Sequence, residues 1–191
     1  MVHLATSGPI PWSDSELAKF AYVHVGPYVD DMARTYQQSL AGEIPDEPLL
    51  VVGQSSVVDP SRAPEGKAVV WIQVRTLPHI PKGSTWEAQR EQVADQVVAK
   101  LEKYAPGFTA TILGRHVMSP ADLQAANPNL VGGDSVAGSH QLDQFLMRPS
   151  LDLGKYATEI PRLYIAGAGT WPGAGANAIS GGLAAARLLK G

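Results

Sequence analysis

The chain has 191 residues, of which 45% are hydrophobic and 17% charged, a composition that is typical of a globular protein and excludes a disordered one. Its formal net charge is −3, without the basic face that a nucleic-acid-binding protein needs. Because cysteine is absent, disulfides, a thiolate nucleophile and cysteine metal ligands are excluded. With no apolar run near the ~20 residues of a transmembrane helix and no signal-peptide pattern, we expect a cytoplasmic protein.

The first half of the chain predicts strands and helices in alternation. A strand begins at Val2, and Ser13 is predicted to cap a short helix over residues 14–20. The segment "AYVHV" alternates like a strand, and a helix over 28–40 places five apolar residues on one face: Val29, Met32, Ala33, Tyr36 and Leu40. Two strands follow, over 49–54 and from Ala68. The loop between them has no helix, which predicts antiparallel neighbours.

The next segments predict a long helix and further alternation. "STWE" at 84–87 fits a capping box with Ser84 as the N-cap, and a buried stripe follows at helical spacing: Trp86, Val93, Val97, Leu101 and Tyr104. "FTATILGRHVM" predicts a strand, and Ser119 with Pro120 predicts the start of a short helix. Residues 128–161 are irregular, as functional loops often are. The fold class is therefore α+β, with a mixed, largely antiparallel sheet flanked by helices.

The last thirty residues predict a strand (Leu163–Ala166), a glycine-rich loop and a helix that begins between residues 176 and 180. Four loop glycines, Gly167, Gly169, Gly173 and Gly175, let a ligand approach the backbone N–H groups. Thr170 can hydrogen-bond a phosphate or a ribityl hydroxyl, and the helix N-terminus favours negative charge. The alternative, equally weighted for glycines alone, is that small residues only allow close helix–strand packing. Trp171 either faces a flat ring system or wedges the loop against the core.

A self-contained Rossmann unit does not fit this motif. Its glycine fingerprint follows the first strand of a βαβ unit and requires an acidic residue about 20 positions later. Only 22 residues follow Gly169, and none of them is Asp or Glu. The loop is therefore expected to serve a site whose other half lies elsewhere.

Other chemistry is weakly indicated. The histidines (His3, His24, His79, His116 and His140) are scattered without metal-ligand spacing, so no metal site is predicted, and no G-x-S-x-G elbow occurs. Asp143 and Asp152 are read as solvated carboxylates rather than as a general acid or base. Arg148 is a candidate for binding an anion or substrate, with a surface salt bridge as the slightly favoured alternative. No catalytic side chain is assigned.

The end of the chain, "LYIAGAGTWPGAGANAISGGLAAARLL", resembles the C-terminal flavin motif of the phytoene desaturase and carotenoid isomerase-like FAD-dependent oxidoreductases, which belong to the amine-oxidase-type superfamily. Their motif reads roughly "LYLAGAGTHPGGG". Three upstream segments, "GQSSVVDPSRAPEGKAVVWIQV", "NPNLVGGD" and "QFLMRPS", are also similar to this family. Two departures lie close to the expected position of the flavin ring, namely Trp171 in place of the usual histidine and Ala174 in place of a glycine.

The resemblance implies FAD as the cofactor and implies which residues contact it. Gly169 and Thr170 would approach the pyrophosphate and the ribityl chain, residues 173–177 would lie at the isoalloxazine edge, and the final helix would stabilise the reduced ring. The implied cofactor-binding set is Gly167, Gly169, Thr170, Trp171, Pro172, Gly173, Gly175, Ala176 and Asn177. Residues 1–158 would form a substrate domain and residues 159–191 the flavin-contacting strand, loop and helix.

The resemblance also implies that the N-terminal FAD-binding part of the family is absent from this sequence. Family members begin with a Rossmann G-x-G-x-x-G, and no such motif precedes Gly167. We therefore expect the C-terminal part of an oxidoreductase for an apolar, polyene or lipid-like substrate, which alone binds FAD weakly or not at all and is inactive. Alternatives are one subunit of a split flavoenzyme and a non-enzymatic binding or scaffold module. Apolar surface left uncovered predicts a homo-oligomer.

Overall fold

The fold is described from a computed structural model, which describes residues 1–26, 28–138, 141–150, 156–175 and 178–190. The chain divides into two compact units, Met1–Ala126 and Asn127–Gly191. This division groups residues by proximity and does not test the functional boundary between residues 158 and 159, which stays a prediction.

Among the described residues, the first unit contains five strands and four helices, and the second contains two helices. The strands are β1 (Val2–Thr6), β2 (Tyr22–Val25), β3 (Leu50–Gly53), β4 (Ala68–Val74) and β5 (Ile112–Val117). The helices are α1 (Val29–Leu40), α2 (Trp86–Glu102), α3 (Phe108–Thr111), α4 (Pro120–Ala126), α5 (Leu142–Leu146) and α6 (Ile179–Leu189). Short 3₁₀ turns cover Ser15–Lys19, Ser55–Val57, Pro60–Arg62 and Val131–Gly133. No helix in the described ranges is long and apolar enough to cross a bilayer.

The five strands form one sheet in the order β2-β3-β4-β1-β5, and all four neighbouring pairs are antiparallel. The predicted α+β class with a largely antiparallel sheet is therefore confirmed. The antiparallel pairing of β3 with β4, predicted from a connection without an α-helix, is also confirmed.

One face of the sheet is buried against α2. Side chains alternate along a strand, so each strand contributes every second residue to this face. The buried core contains Val2 and Leu4 of β1 together with Val70 and Ile72 of β4. The α2 residues Ala94, Val97, Val98 and Leu101 belong to the same cluster. The predicted α2 stripe is buried except for Tyr104, which lies beyond the helix end and is exposed.

Two helix starts differ by one residue from the predictions. Thr85, not Ser84, caps α2 because its hydroxyl accepts from Ala88 N, while Ser84 Oγ accepts instead from Gln89 Nε2. Asp14, not Ser13, caps the first 3₁₀ turn through a bond from Glu16 N. Ser, Thr and Asp are all strong N-cap residues, so adjacent candidates compete and the local geometry decides between them.

The predicted strand at "FTATILGRHVM" was too long, because residues 108–111 form the helical turn α3. The carboxylate of Glu102 accepts hydrogen bonds from Gly107 N and Thr109 N at 2.6 and 2.7 Å and holds this turn after α2. The short helix α4 begins as predicted. Ser119 Oγ accepts from Asp122 N, and the Asp122 carboxylate accepts from Ser119 N in return.

The helix α1 forms at the predicted place, but its apolar face does not join the core. Val29, Tyr36 and Leu40 are exposed, and Thr35 is the buried residue of the helix. The Thr35 hydroxyl donates to the Glu47 carbonyl, which ties α1 to the segment that precedes β3. The described residues therefore leave the apolar stripe of α1 uncovered.

Lys100 connects α2 to the same segment before β3. Its side chain is 6% exposed, and Nζ donates to Glu47 Oε2 at 2.8 Å and to the Pro48 carbonyl at 2.9 Å. This bond holds the pKa of the Glu47 carboxyl below its usual range, against an opposing effect of burial. Both acceptors of the buried ammonium are therefore supplied by one short loop.

Replacing Lys100 with Met is expected to lower the free energy of unfolding by about 1–3 kcal/mol, because the Pro48 carbonyl and Glu47 lose their donor. The matched control is Lys103→Met, since Lys103 lies on the surface 3.8 Å from Glu47. That change should cost less than about 0.5 kcal/mol. Urea unfolding followed by tryptophan fluorescence measures both. Equal losses in the two variants would show that the buried bonds of Lys100 contribute nothing.

The Glu47 carboxylate should make the stability depend on acid pH. A carboxyl whose pKa is lower in the folded state stabilises the fold fully above the unfolded pKa, about 4.3, and loses this contribution as the pH falls through the folded pKa. The urea midpoint of the parent protein should therefore exceed that of Glu47→Gln at pH 7, and the difference should shrink by pH 3. A difference that grows on acidification would reverse the assigned sign.

Candidate functional site

The segment before the glycine-rich loop is held by one bridge rather than by a strand ladder. Tyr164 pairs with Ala157 in an isolated antiparallel bridge, and Ile165 N donates to the Tyr156 carbonyl at 2.9 Å. The predicted strand Leu163–Ala166 is therefore not formed as a regular strand in the described part of the chain. A strand needs a partner along its whole length, and the described residues supply one for only part of this segment.

The loop itself consists of two consecutive turns. Thr170 N donates to the Gly167 carbonyl at 3.0 Å, and Gly173 N donates to the Thr170 carbonyl at 2.7 Å. Gly167 has φ +114° and Gly173 has φ +102°, values that other residues adopt only with strain. These two glycines are needed for the shape of the backbone.

A hydroxyl pair fixes the first turn to α6. Ser180 Oγ accepts from Gly167 N at 2.7 Å and lies 2.6 Å from Thr170 Oγ1, which also contacts the Gly167 carbonyl at 2.8 Å. Both side chains are buried. The predicted contact of the Thr170 hydroxyl with a cofactor stays a prediction, and it would require these internal bonds to be exchanged.

The buried side chain of Arg148 holds the loop through hydrogen bonds to backbone carbonyls. Its side chain is only 1% exposed, and Nη1 donates to the Ala168 carbonyl at 2.9 Å and to the Ala137 carbonyl at 3.2 Å. A Cβ built on Gly173 would lie 3.3 Å from the guanidinium carbon, so the loop rests directly on this group. The surface position expected in the favoured alternative was wrong, because the guanidinium is buried and bonds to backbone carbonyls.

Tyr156 fixes the second turn. Its hydroxyl donates to the Trp171 carbonyl at 2.6 Å, and burial raises the pKa of the phenol, which keeps this donor protonated. The Trp171 side chain is 39% exposed. The indole is thus partly exposed, and its predicted place beside a flat ring stays a prediction.

The predicted site residues differ in how exposed they are to solvent. Gly169 and Gly175 are exposed, and no backbone carbonyl of the described residues accepts from their N–H groups. Pro172 is half-buried and Gly173 is buried. The predicted residues Ala176 and Asn177 lie outside the described residues, as do His140 and Asp152. Asp143 is exposed, as expected of a solvated carboxylate.

The helix α6 begins at Ile179, directly after this loop, and Ala178 at its N-cap has no side-chain bond to the first turn. Ser180 and Ala184 are its buried residues, whereas Leu188 and Leu189 are exposed. A helix that buries one narrow face of small residues and exposes leucines is normally covered by a further element. The positive end of its dipole lies beside the loop and favours an electron-rich ligand there.

Ser180 and Tyr156 were missed by the sequence reasoning. Ser180 carried a usable signal, since a hydroxyl residue in the first turn of a helix that follows a glycine loop can accept from the loop. Tyr156 carried no signal, because its contact depends on the path of an irregular segment.

A second surface of interest lies on the first unit, on the sheet face opposite α2, which we call the open face. Most of its side chains are exposed or half-buried, although Val51 is buried. The residues are His3 and Ala5 of β1, Tyr22 and His24 of β2, Val51 and Gly53 of β3, Val69, Trp71 and Gln73 of β4, and Gly114 and His116 of β5. It is rich in aromatic and imidazole rings.

No group of three or more potential metal ligands occurs among the residues that the structure describes. No catalytic pair of acid and base was predicted either. The candidate site consists of a backbone loop with an adjoining helix N-terminus.

Comparison with known proteins gives related oxidoreductases, whereas no family model matches the chain. The pyridine nucleotide-disulfide oxidoreductase domain-containing protein 2 of Rattus norvegicus is 32% identical over 78% of this chain and 26% of its own length. A limonene dehydrogenase subunit of Castellaniella defragrans is 30% identical over 69% of this chain and 25% of its own. A neurosporene-forming phytoene desaturase of Rhodobacter capsulatus is 26% identical over 74% of this chain and 27% of its own length.

The chain is a relative of the phytoene desaturase-like FAD-dependent oxidoreductases. This confirms the family that the terminal motif and the upstream segments indicated. The chain spans about a quarter of the length of these curated relatives.

Two glycines of the loop, one with a positive φ and one without, provide a matched test of its shape. Gly173→Ala should lower the free energy of unfolding by about 1–3 kcal/mol, because its φ is +102° and its Cβ would lie 3.3 Å from Arg148. Gly169→Ala has open space around its Cβ and should be neutral or stabilise by about 0.4–1 kcal/mol.

Thermal unfolding and amide hydrogen exchange over residues 163–175 measure these two variants. The expected order is faster exchange in Gly173→Ala than in Gly169→Ala. Equal exchange in both would contradict the support of the loop by Arg148.

Proposed function

We propose that this chain supplies the flavin-contacting loop and the substrate-side sheet of an FAD-dependent oxidoreductase that acts on an apolar, polyene or lipid-like substrate. The observation that carries the proposal is the loop over residues 167–175. Its path is held by Arg148, Tyr156 and Ser180, so that Gly169 and Gly175 present exposed backbone without side chains.

The described residues fit part of an FAD molecule. The exposed loop glycines and the N-terminus of α6 suit an electron-rich edge, since the dipole of a helix stabilises negative charge within its first turn. Trp171 offers a partly exposed flat ring beside them. FAD, when bound, supplies the hydride chemistry, and the contribution of this chain is to position the ring and to favour its negative charge.

The relatives support an apolar substrate class. Their names refer to phytoene desaturases, to limonene dehydrogenase and to 4,4'-diapolycopen-4-al dehydrogenase of Metabacillus indicus. On this chain the open face offers Trp71 and Tyr22, whose rings meet edge to face at 5.5 Å between centroids. Aromatic side chains of this kind provide large apolar contact area.

A complementary FAD-binding portion is part of the proposal. Exposed Leu188 and Leu189 on α6 favour it, as does a segment before the loop that pairs by a single bridge. The relatives extend far beyond the matched quarter of their length, which leaves room for such a portion. The portion would grip the ADP half of the cofactor, for which the sequence resemblance implies a Rossmann motif.

The FAD-binding portion would lie either in the same polypeptide or in a separate one. The second arrangement is a split enzyme. One observation favours a split enzyme, namely that a relative is named as a subunit of limonene dehydrogenase. Self-association through the uncovered apolar residues remains a prediction that is separate from both arrangements.

The purified 191-residue chain should carry little or no FAD, because the ADP-binding contacts are missing from it. We expect stoichiometric flavin absorbance near 450 nm only when the chain is coexpressed with the FAD-binding portion of a relative, such as the rat protein. Flavin absorbance and light scattering of the copurified complex measure this.

The matched variants are Gly169→Trp, which covers the exposed loop, and Glu65→Trp, which places the same ring in an exposed turn of the first unit without a positive φ. Only the first should abolish flavin retention in the complex. Tight stoichiometric FAD in the isolated chain, or retention in both variants, would contradict the proposed role of the loop.

A further inference from the structure

The open face carries its rings in one row that crosses the whole sheet. Tyr22 lies opposite Gly53, Gly53 opposite Trp71, Trp71 opposite His3, and His3 opposite His116. Neighbouring strands are about 4.8 Å apart, so the row spans about 19 Å from β2 to β5. A ligand laid across the strands along this row would contact all five positions in order.

The two ends of the row differ in chemistry. At the β2 end the Trp71 indole lies over Gly53, where a Cβ would overlap the ring, and it meets Tyr22 edge to face. The absence of a side chain at Gly53 thus leaves the space that the indole occupies. This end presents apolar ring surface.

At the β5 end, His3 and His116 stack with ring centroids 6.3 Å apart and an angle of 29° between their planes. Burial is the main cause of a lowered pKa at His3, with smaller effects of the N-terminal charge and of His116. A neutral imidazole has one N–H donor and one nitrogen acceptor, so this end of the row presents hydrogen-bonding groups.

Covering the two ends has different consequences. Apolar surface placed over Tyr22 and Trp71 is favourable, whereas a hydrocarbon placed over the imidazoles would remove water from their nitrogens without replacing its hydrogen bonds. A ligand that follows the row therefore needs a polar group at the β5 end.

We infer that the open face selects an apolar substrate with an oxygen at one end, with its hydrocarbon over Tyr22 and Trp71 and its hydroxyl or carbonyl oxygen hydrogen-bonded by His3 and His116. This inference rests on the proposed function and deepens it by naming the substrate class. The histidines determine specificity, and they take no part in the transfer of hydride.

The test compares geraniol, an acyclic C10 alcohol, with myrcene, a C10 hydrocarbon of the same type. Binding to the 191-residue chain is followed by NMR through the Trp71 indole N–H signal and the histidine ring signals, which are assigned with single variants. Geraniol should bind about three- to tenfold more tightly than myrcene, which corresponds to the net effect of one neutral hydrogen bond.

Phenylalanine keeps a flat ring but has no hydrogen-bonding group. In the double variant His3→Phe/His116→Phe the preference for geraniol should disappear, and glutamine at both positions should restore part of it. The matched control is His24→Phe on β2, which lies on the same face but outside the row and should leave the preference unchanged. The amide spectrum checks that each variant is folded.

Three outcomes are distinguishable. A preference for geraniol that survives in the double phenylalanine variant overturns the inference. Equal binding of both compounds to the parent chain also overturns it, but leaves the proposed apolar substrate face intact. Failure of both compounds to shift the Trp71 signal counts against the proposed substrate face itself.

Discussion

In the described part of the first unit, one face of the sheet is buried against α2 and the other is mostly exposed or half-buried, and the rest of this unit depends on this difference. The α2 stripe packs against alternate residues of the strands, and Lys100 ties the helix to the segment before β3 through one side-chain and one backbone acceptor. Because side chains alternate, the same pairing that buries Val70 and Ile72 places Trp71 on the other face. The ring row of the open face is thus a direct consequence of the register.

The second unit depends on a different kind of interaction. Its loop is held by a few buried polar contacts rather than by a large apolar core: the Arg148 guanidinium, the Tyr156 phenol and the Ser180 hydroxyl all bond to loop backbone. Each of these groups comes from a different part of the segment. Backbone groups of the loop satisfy these buried polar side chains, and each hydrogen bond forms only when the loop has the right geometry. They therefore favour one shape of the loop, which is the property that a cofactor-contacting backbone requires.

The sequence predicted the elements whose signals are local. Apolar periodicity indicated β3, β4 and α2, and Ser119 with Pro120 indicated the start of α4. Adjacent cap candidates were resolved wrongly at Ser84 and Thr85, since both residue types can cap and only the local backbone distinguishes them.

Features that depend on distant partners were not predictable in the same way. Arg148 was expected at the surface, but it is buried because the loop 20 residues later supplies a carbonyl for it. The segment Leu163–Ala166 has the composition of a strand, yet the described residues pair with it through one bridge. The family, in contrast, was recognisable from the sequence, because it is carried by an ordered set of short segments that does not depend on knowing their contacts.

The central claim is that the loop over 167–175 and the N-terminus of α6 contact a flavin held by a complementary portion. Carbene footprinting of the coexpressed complex, with and without FAD, tests it most directly. The account predicts that labelling of Trp171 falls when FAD is present, while labelling of Tyr104, an exposed residue of the first unit, stays the same. Unchanged labelling of Trp171 in a complex that demonstrably holds FAD would contradict the claim.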